Sequence, residues 1–361
     1  MKKTIVWIFG TFSLLLAAAL VLSVYVSRPA FDETLNPTTL DTIEIAAPEE
    51  ALTFARVGVE PQRRVLLVTQ YRDGKVIGVD LNQRLKTAED NPLALFRQFG
   101  YAALRDATTS VADTVAVSVT ALDVPFDARE QNIGVGLSYA EHARESNLEQ
   151  PPFLFPKFAL PTRATSTLAK QNSARLDYEA ELGFVALEDL SGPAPMPPTM
   201  GLVLCNEATD RWALVRNFER SQPMGTTGFA DGKSRAGFAP IGPLMVIPRN
   251  LEMFYRGIEL RLYLNGRLRQ KEKTVAMRWG PGDILREVFR RPDGYRYGAS
   301  NVSLLAAGAV IPSGTILFSG TPAGVLFRPH NVWNPWHYLR PGDEVVIRSD
   351  MLGVIRNRIV E

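Results

Sequence analysis

The chain has 361 residues, enough for a substantial core in one large domain or two. It carries 40 basic and 38 acidic side chains. The only charges in residues 1–28 are Lys2, Lys3 and Arg28, and setting those three aside leaves 37 basic against 38 acidic. A near-neutral body lacks the basic excess of a nucleic-acid binder, and the single cysteine, Cys205, excludes an intrachain disulfide.

Thr4 to Val26 is an uncharged, largely apolar run behind Lys2-Lys3. It is long enough to span a bilayer and longer than the apolar core of a cleavable signal peptide. Residues 1–28 are therefore predicted to be an uncleaved signal anchor, one transmembrane helix. The positive-inside rule then predicts a single-pass inner-membrane protein whose catalytic domain lies on the periplasmic side, with the membrane as a partner.

Residues 29–52, rich in Pro, Thr, Asp and Glu, read as a linker. Residues 53–125 read as a small α+β unit. Asp73-Gly74 is a hairpin signal between two apolar runs, and Pro92–Asp106 has helical spacing of Leu93, Leu95, Phe96, Phe99 and Leu104. Residues 126–361 are short apolar runs punctuated by Gly and Pro, which predicts a mainly antiparallel roll or sandwich. No G-x-G-x-x-G after a strand, P-loop or G-x-S-x-G elbow is present, so neither a nucleotide nor a serine nucleophile is indicated.

The chemistry centres on Leu176–Leu182. With a period of two, Leu176, Tyr178, Ala180 and Leu182 fall on one face, and Asp177, Glu179 and Glu181 on the other. Adjacent carboxylates repel unless a positive charge stands between them, and a hard divalent cation fills that role. On an ordinary half-exposed strand the same glutamates would simply be solvated. His142 and Glu145 are i, i+3, within reach on a helical turn, where a carboxylate orients an imidazole for general-base work. Glu207, after the strand bearing Cys205, offers a third oxygen. Lys233, in Asp231-Gly232-Lys233, offers an ammonium to an enolate or carboxylate. Ser319–Gly324 is a Gly-rich loop whose amides and Thr321 hydroxyl suit a carboxylate.

Seven segments occur in one order: GLSYAEHARE (136–145), YEAEL (178–182), NEATDR (206–211), DGKSRAGFAPIGP (231–243), LNGRLRQ (264–270), GTPAGV (320–325) and LRPGDEVVI (339–347). In these the sequence resembles the fumarylacetoacetate hydrolase family. The resemblance implies an α+β, mainly β protein. Its C-terminal domain (126–361) would be a mixed β-sandwich roll, preceded by the small α+β domain and usually dimeric. It implies a divalent cation, Mg²⁺ or else Mn²⁺ or Ca²⁺, held by Glu179, Glu181 and Glu207. His142, Glu145 and Lys233 match the catalytic positions, and Gly320, Thr321 and Gln270 the substrate contacts. The expected activity is metal-dependent hydrolysis of a C–C bond in a 1,3-diketo or 2-oxo acid. The alternatives are decarboxylation or keto–enol isomerisation of a 2-oxo dicarboxylic acid, or small-acid binding without turnover.

Three departures stand out. Glu207 replaces the usual Asp. A Pro-rich loop, Gly192–Pro198, replaces the usual extension. An aromatic stretch, Arg328–Tyr338, is predicted to wall the pocket.

Overall fold

The computed structural model describes residues 13–22, 31–59, 62–109, 114–148, 150–173, 175–192 and 199–361. The first part of the chain contributes α1 (13–22), β1 (Ala51–Val57), β2 (Arg64–Arg72), β3 (Lys75–Asp80), α2 (Leu81–Leu85), α3 (Pro92–Ala107) and β4 (Thr114–Ser118). The second part opens with β5 (Gln131–Gly136), α4 (Ala140–Glu145), β6 (Phe153–Phe158), β7 (Thr165–Ala169), β8 (Leu176–Asp177), β9 (Ala180–Val185), β10 (Gly201–Asn206) and β11 (Thr209–Asp210). It continues through α5 (Arg211–Asn217), α6 (Phe229–Lys233), β12 (Met245–Pro248), α7 (Leu251–Arg256), β13 (Glu259–Leu264), β14 (Arg267–Lys273) and α8 (Pro281–Arg290). The hairpin of β15 (Tyr295–Tyr297) and β16 (Ser300–Val302) follows, then β17 (Ile316–Phe318), β18 (Glu344–Ser349) and β19 (Gly353–Val360).

Ten strands form one sheet in the order β4-β3-β2-β1-β12-β10-β9-β17-β5-β6, and five form a second, β14-β13-β18-β19-β7. The hairpin at Asp73-Gly74 joins β2 to β3, with both residues at positive φ, as the tight turn requires. The central strands β9, β10 and β17 are buried along their whole length. One face carries Leu182, Phe184, Leu202, Leu204 and Leu317 into the core shared with Leu260, Leu262, Val345 and Ile355 of the second sheet. The opposite face carries Val185, Val203, Cys205, Ile316 and Phe318 against Leu93, Leu95 and Leu104 of α3. Strands covered on both faces have no solvated side, so apart from Glu181 and Asn206 these runs are apolar rather than alternating.

Leu176–Leu182 is not one continuous strand. It is interrupted at Tyr178-Glu179, where the chain passes from the small β8–β11 ladder into the ten-stranded sheet. Asp177 anchors the interruption by accepting N–H bonds from Leu326 and Phe327 at 2.9 and 3.0 Å.

Two expectations at the amino terminus change. Residues 31–50 lie along the protein: Leu40, Ile43 and Ala46 are buried, and Thr34 and Ile43 form bridges to Arg267 and Tyr71. Among the described residues no helix is long and apolar enough to cross a membrane. Helix α1 covers the ten described residues of the predicted span. Residues 1–12 and 23–30 lie outside the described residues, as do 193–198 of the Pro-rich loop. The transmembrane helix, the membrane as a partner and the inner-membrane, periplasmic-side location are therefore corrected: the expectation rested on apolar composition, and among the described residues no spanning helix accompanies it.

Candidate active site

The site is assembled at the end of the β9–β10 pair. Glu181 stands opposite Cys205 in the antiparallel register, so the two share a face. One step beyond the strands, Glu207 N–H donates to Glu179 C=O at 2.9 Å, which carries the ladder on and turns Glu179 and Glu207 to that same face. Oxygens of Glu179, Glu181 and Glu207 lie within 4.8 Å of one another, and all three residues are buried.

Cations interlock this cluster. Lys233, at the end of α6, donates to Glu179 Oε2 at 2.5 Å, Glu207 Oε2 at 2.6 Å and Thr209 Oγ1 at 2.9 Å. Arg211 heads α5. Its Nε donates to Asp177 Oδ2 at 2.8 Å and its Nη2 donates to Glu179 Oε1. Lys157 of β6 is fully buried. Its Nζ donates to the Lys233 and Phe238 carbonyls at 2.7 and 3.2 Å and lies 3.6 Å from Glu207 Oε1. Burial drives the Glu179 carboxyl upward, yet Lys233 and Arg211 outweigh it and hold the group down at about 2. At Glu181 burial, then Glu207 and Glu179, push the carboxyl well up, and Lys233 and the Gly320 amide offset only part of it. Burial opposes the charge of Lys233, but Glu179 and Glu207 raise it on balance. Burial lowers Lys157.

His142 and Glu145 project from α4, with Nδ1 3.3 Å from Glu145 Oε2. Glu145 is fixed in turn by the Gly324 N–H, at 2.9 and 3.1 Å from its two oxygens, and by the Arg328 guanidinium. The Gly-rich loop thus orients the imidazole's partner. Gly320 N–H donates to Glu181 Oε2 at 2.9 Å. Its φ is +84° and a Cβ there would stand 2.8 Å from the Val135 carbonyl, so only glycine brings that amide to the carboxylate. Thr321 Oγ1 donates to the Ala180 carbonyl and accepts from Gln270 Nε2 at 2.8 Å.

One cavity of about 200 Å³ gathers His142, Glu179, Arg211, Lys233, Thr321 and Phe327 on its lining. Glu181 and Glu207 adjoin its floor through Glu179 and Lys233. Gln270 is placed behind the wall: it holds Thr321 and the Pro322 carbonyl and accepts from Ala180 N–H. Of the aromatic stretch, Trp333 and Trp336 point outward, 42% and 66% exposed; the cavity wall is made by Phe327, just before it.

Sequence reasoning left out Lys157 and gave no role to Arg211 or Arg328. A signal for Lys157 was present: it is the lone charge of β6, in period-two register with Phe153 and Phe155.

Residues 131–360 match the fumarylacetoacetate (FAA) hydrolase C-terminal family. The chain is 28% identical over 251 residues to a mitochondrial oxaloacetate tautomerase, FAHD2B, of Bos taurus, covering 65% of this chain and 68% of that protein. It is 26% identical over 247 residues to the 2,4-didehydro-3-deoxy-L-rhamnonate hydrolase of a Sphingomonas species, covering 66% and 76%. In fold it is similar to the fumarylacetoacetate hydrolase of Exiguobacterium antarcticum, with a TM-score of 0.60, 22% identity and 86% and 99% of the two chains covered. These relatives are enzymes, and they include both a tautomerase and a hydrolase. With the family matched over residues 131–360, more than half of the chain, and the same α+β fold, this chain belongs to the fumarylacetoacetate hydrolase family.

Proposed function

We propose that this chain is a divalent-metal-dependent hydrolase that cleaves a C–C bond in a 1,3-diketo or 2-oxo acid. The observation that carries this reading is the shared cavity: an imidazole oriented by a fixed carboxylate faces a buried cluster of three further carboxylates and an ammonium.

A cation fits the donor set. Glu181 Oε1 is buried without a hydrogen-bond partner, and an unpartnered buried carboxylate oxygen is costly unless a positive charge reaches it. Glu179, Glu181 and Glu207 would hold Mg²⁺ or Mn²⁺, all hard oxygen ligands. When bound, the ion supplies Lewis-acid polarisation of substrate oxygens.

The chain's own groups do the rest. With Nδ1 donating to Glu145, Nε2 of His142 is the basic nitrogen. It takes a proton from water as the water oxygen bonds to the acyl carbonyl carbon. The bond from that carbon to the neighbouring carbon breaks, and its electron pair passes to the enolate of the departing 2-oxo acid. His142 returns its proton to that enolate carbon, leaving a carboxylic acid and a 2-oxo acid. Lys233 stabilises the negative charge as it develops.

Similarity to oxaloacetate tautomerase favours a second reading, keto–enol isomerisation, in which His142 moves a proton between carbon and oxygen and no water attacks. One assay separates the two. Purified chain with Mg²⁺ or Mn²⁺ is given acetylpyruvate, with pyruvate release coupled to lactate dehydrogenase, and in parallel enol-oxaloacetate, followed by loss of enol absorbance. Hydrolysis predicts pyruvate and acetate in equal amounts. Enol loss with no pyruvate from acetylpyruvate would favour isomerisation instead.

A further inference from the structure

Away from its polar floor, the cavity is apolar. Phe229 packs edge-on to Phe153 with centroids 4.8 Å apart, and it also meets Phe155 at 5.5 Å and Phe218 at 6.4 Å. Leu214 and Val215 of α5 and Met224 complete the sleeve. The rings are seated closely: a Cβ at Gly136 would lie 2.1 Å from the Phe153 ring, so β5 leaves that ring its place. The sleeve begins where the reacting groups end, since Lys233 Nζ lies 5.5 Å from the Phe155 centroid.

Among the described residues two permanent cations line this cavity, and both are engaged. Arg211 is bound to Asp177 and Glu179, and Lys233 to Glu179 and Glu207. Arg220, which is exposed, stands in the adjoining outer chamber rather than along the sleeve. A carboxylate carried on the far end of a short substrate would lose its water among phenyl rings and gain no partner. An alkyl or aryl group would gain from burial at every carbon.

Resting on the hydrolase reading above, we propose that the substrate's acyl arm is uncharged and apolar and fills the Phe153–Phe218–Phe229 sleeve, so that the site selects alkyl- or aryl-substituted acids against those with a second carboxylate. The arm selects the substrate and takes no part in bond making.

Calorimetric titration of the full-length chain in the presence of Mg²⁺ reads this without turnover. The probes are 2-oxobutanoate, 2-oxohexanoate and 2-oxooctanoate, with 2-oxoadipate as the six-carbon diacid. Affinity should rise about fourfold per added methylene, and 2-oxohexanoate should bind at least about tenfold more tightly than 2-oxoadipate. Val215→Lys, at a partly exposed position, should narrow that preference about tenfold. Arg220→Ala should leave the alkyl series unchanged. A flat series, or tighter binding of 2-oxoadipate that Arg220→Ala abolishes, would overturn the proposal and make the outer arginine the recognition element. Chain-length-dependent binding in a protein with no hydrolytic activity would keep this inference and reject the hydrolase. Efficient hydrolysis with the reversed binding order would do the opposite, and no binding of any acid would reject both.

Discussion

At the floor of the cavity, Glu179, Glu181, Glu207, Lys157, Lys233 and Arg211 are all buried; ion pairs hold all of them but Glu181, which the Gly320 amide holds. Along the sleeve, Leu214, Phe218, Met224 and Phe229 are only partly buried, Val215 is 39% exposed, and packing alone positions them. The two regions share a wall but not a physics. Removing one charge from the floor strands another in low dielectric, so stability and function change together there. Removing a methyl group from the sleeve costs little stability, so binding changes almost alone.

The largest effect tests the interlock. Lys233→Met leaves Glu179 and Glu207 without their shared ammonium, and about 3–5 kcal/mol of stability should be lost along with all turnover, the usual cost of breaking a buried pair. Urea denaturation measures it; a loss under about 1 kcal/mol would mean that the floor is not electrostatically interlocked.

Next is the cation. A ligand that binds only the folded state adds about 2.7 kcal/mol at a hundredfold excess over its Kd, so the thermal midpoint should rise with Mg²⁺ or Mn²⁺. Glu179→Ala combined with Glu181→Ala should abolish the rise. A double variant that responds like the wild type would place the ion elsewhere.

On the sleeve side, Val215→Ala should stay within about 0.5 kcal/mol of wild-type stability while raising KM for long-chain acyl substrates several-fold and leaving kcat in place. A matching fall in kcat would erase the distinction between floor and sleeve.

A pH effect lies outside both regions. Burial, followed by Arg269 and Arg328, holds the His337 imidazole down from 6.5 to about 4. Between those values the unfolded chain binds a proton that the folded chain refuses. Stability therefore falls as pH drops from 6.5 to 4, and this contribution stops changing below 4. His337→Gln should lose less stability than the wild type over that window; identical pH profiles would show that the imidazole does not titrate differently on folding.

The floor was partly legible in the sequence because its information is local. A period of two places Glu179 and Glu181 on one face, three residues join His142 to Glu145 on a turn, and the motif order carries Glu207, Lys233 and Thr321. What held these groups was not legible, because it arrives from far along the chain. Glu145 is pinned by Gly324, 179 residues away. Lys157 and Lys233 are 76 residues apart, and Arg211 reaches back 34 residues to Asp177. For the same reason the interruption at Tyr178-Glu179 was missed: Leu326 and Phe327 impose it, and nothing in the heptapeptide does. The sleeve draws on β6, α5, α6 and the loops between them, where its residues look like ordinary core positions. The expected membrane span shows the converse weakness, since apolar composition by itself carried a statement about location that no spanning helix among the described residues supports.

In the proposed reaction His142 is the base for an attacking water while the floor holds the substrate. Turnover and binding of His142→Ala, measured side by side with acetylpyruvate and 2-oxohexanoate, test it most directly. Binding should stay within about threefold of wild type, and hydrolytic kcat should fall by roughly 10²–10⁴, the range for a positioned general base, with Glu145→Gln intermediate. An unchanged kcat, or equal losses in binding and turnover, would contradict it.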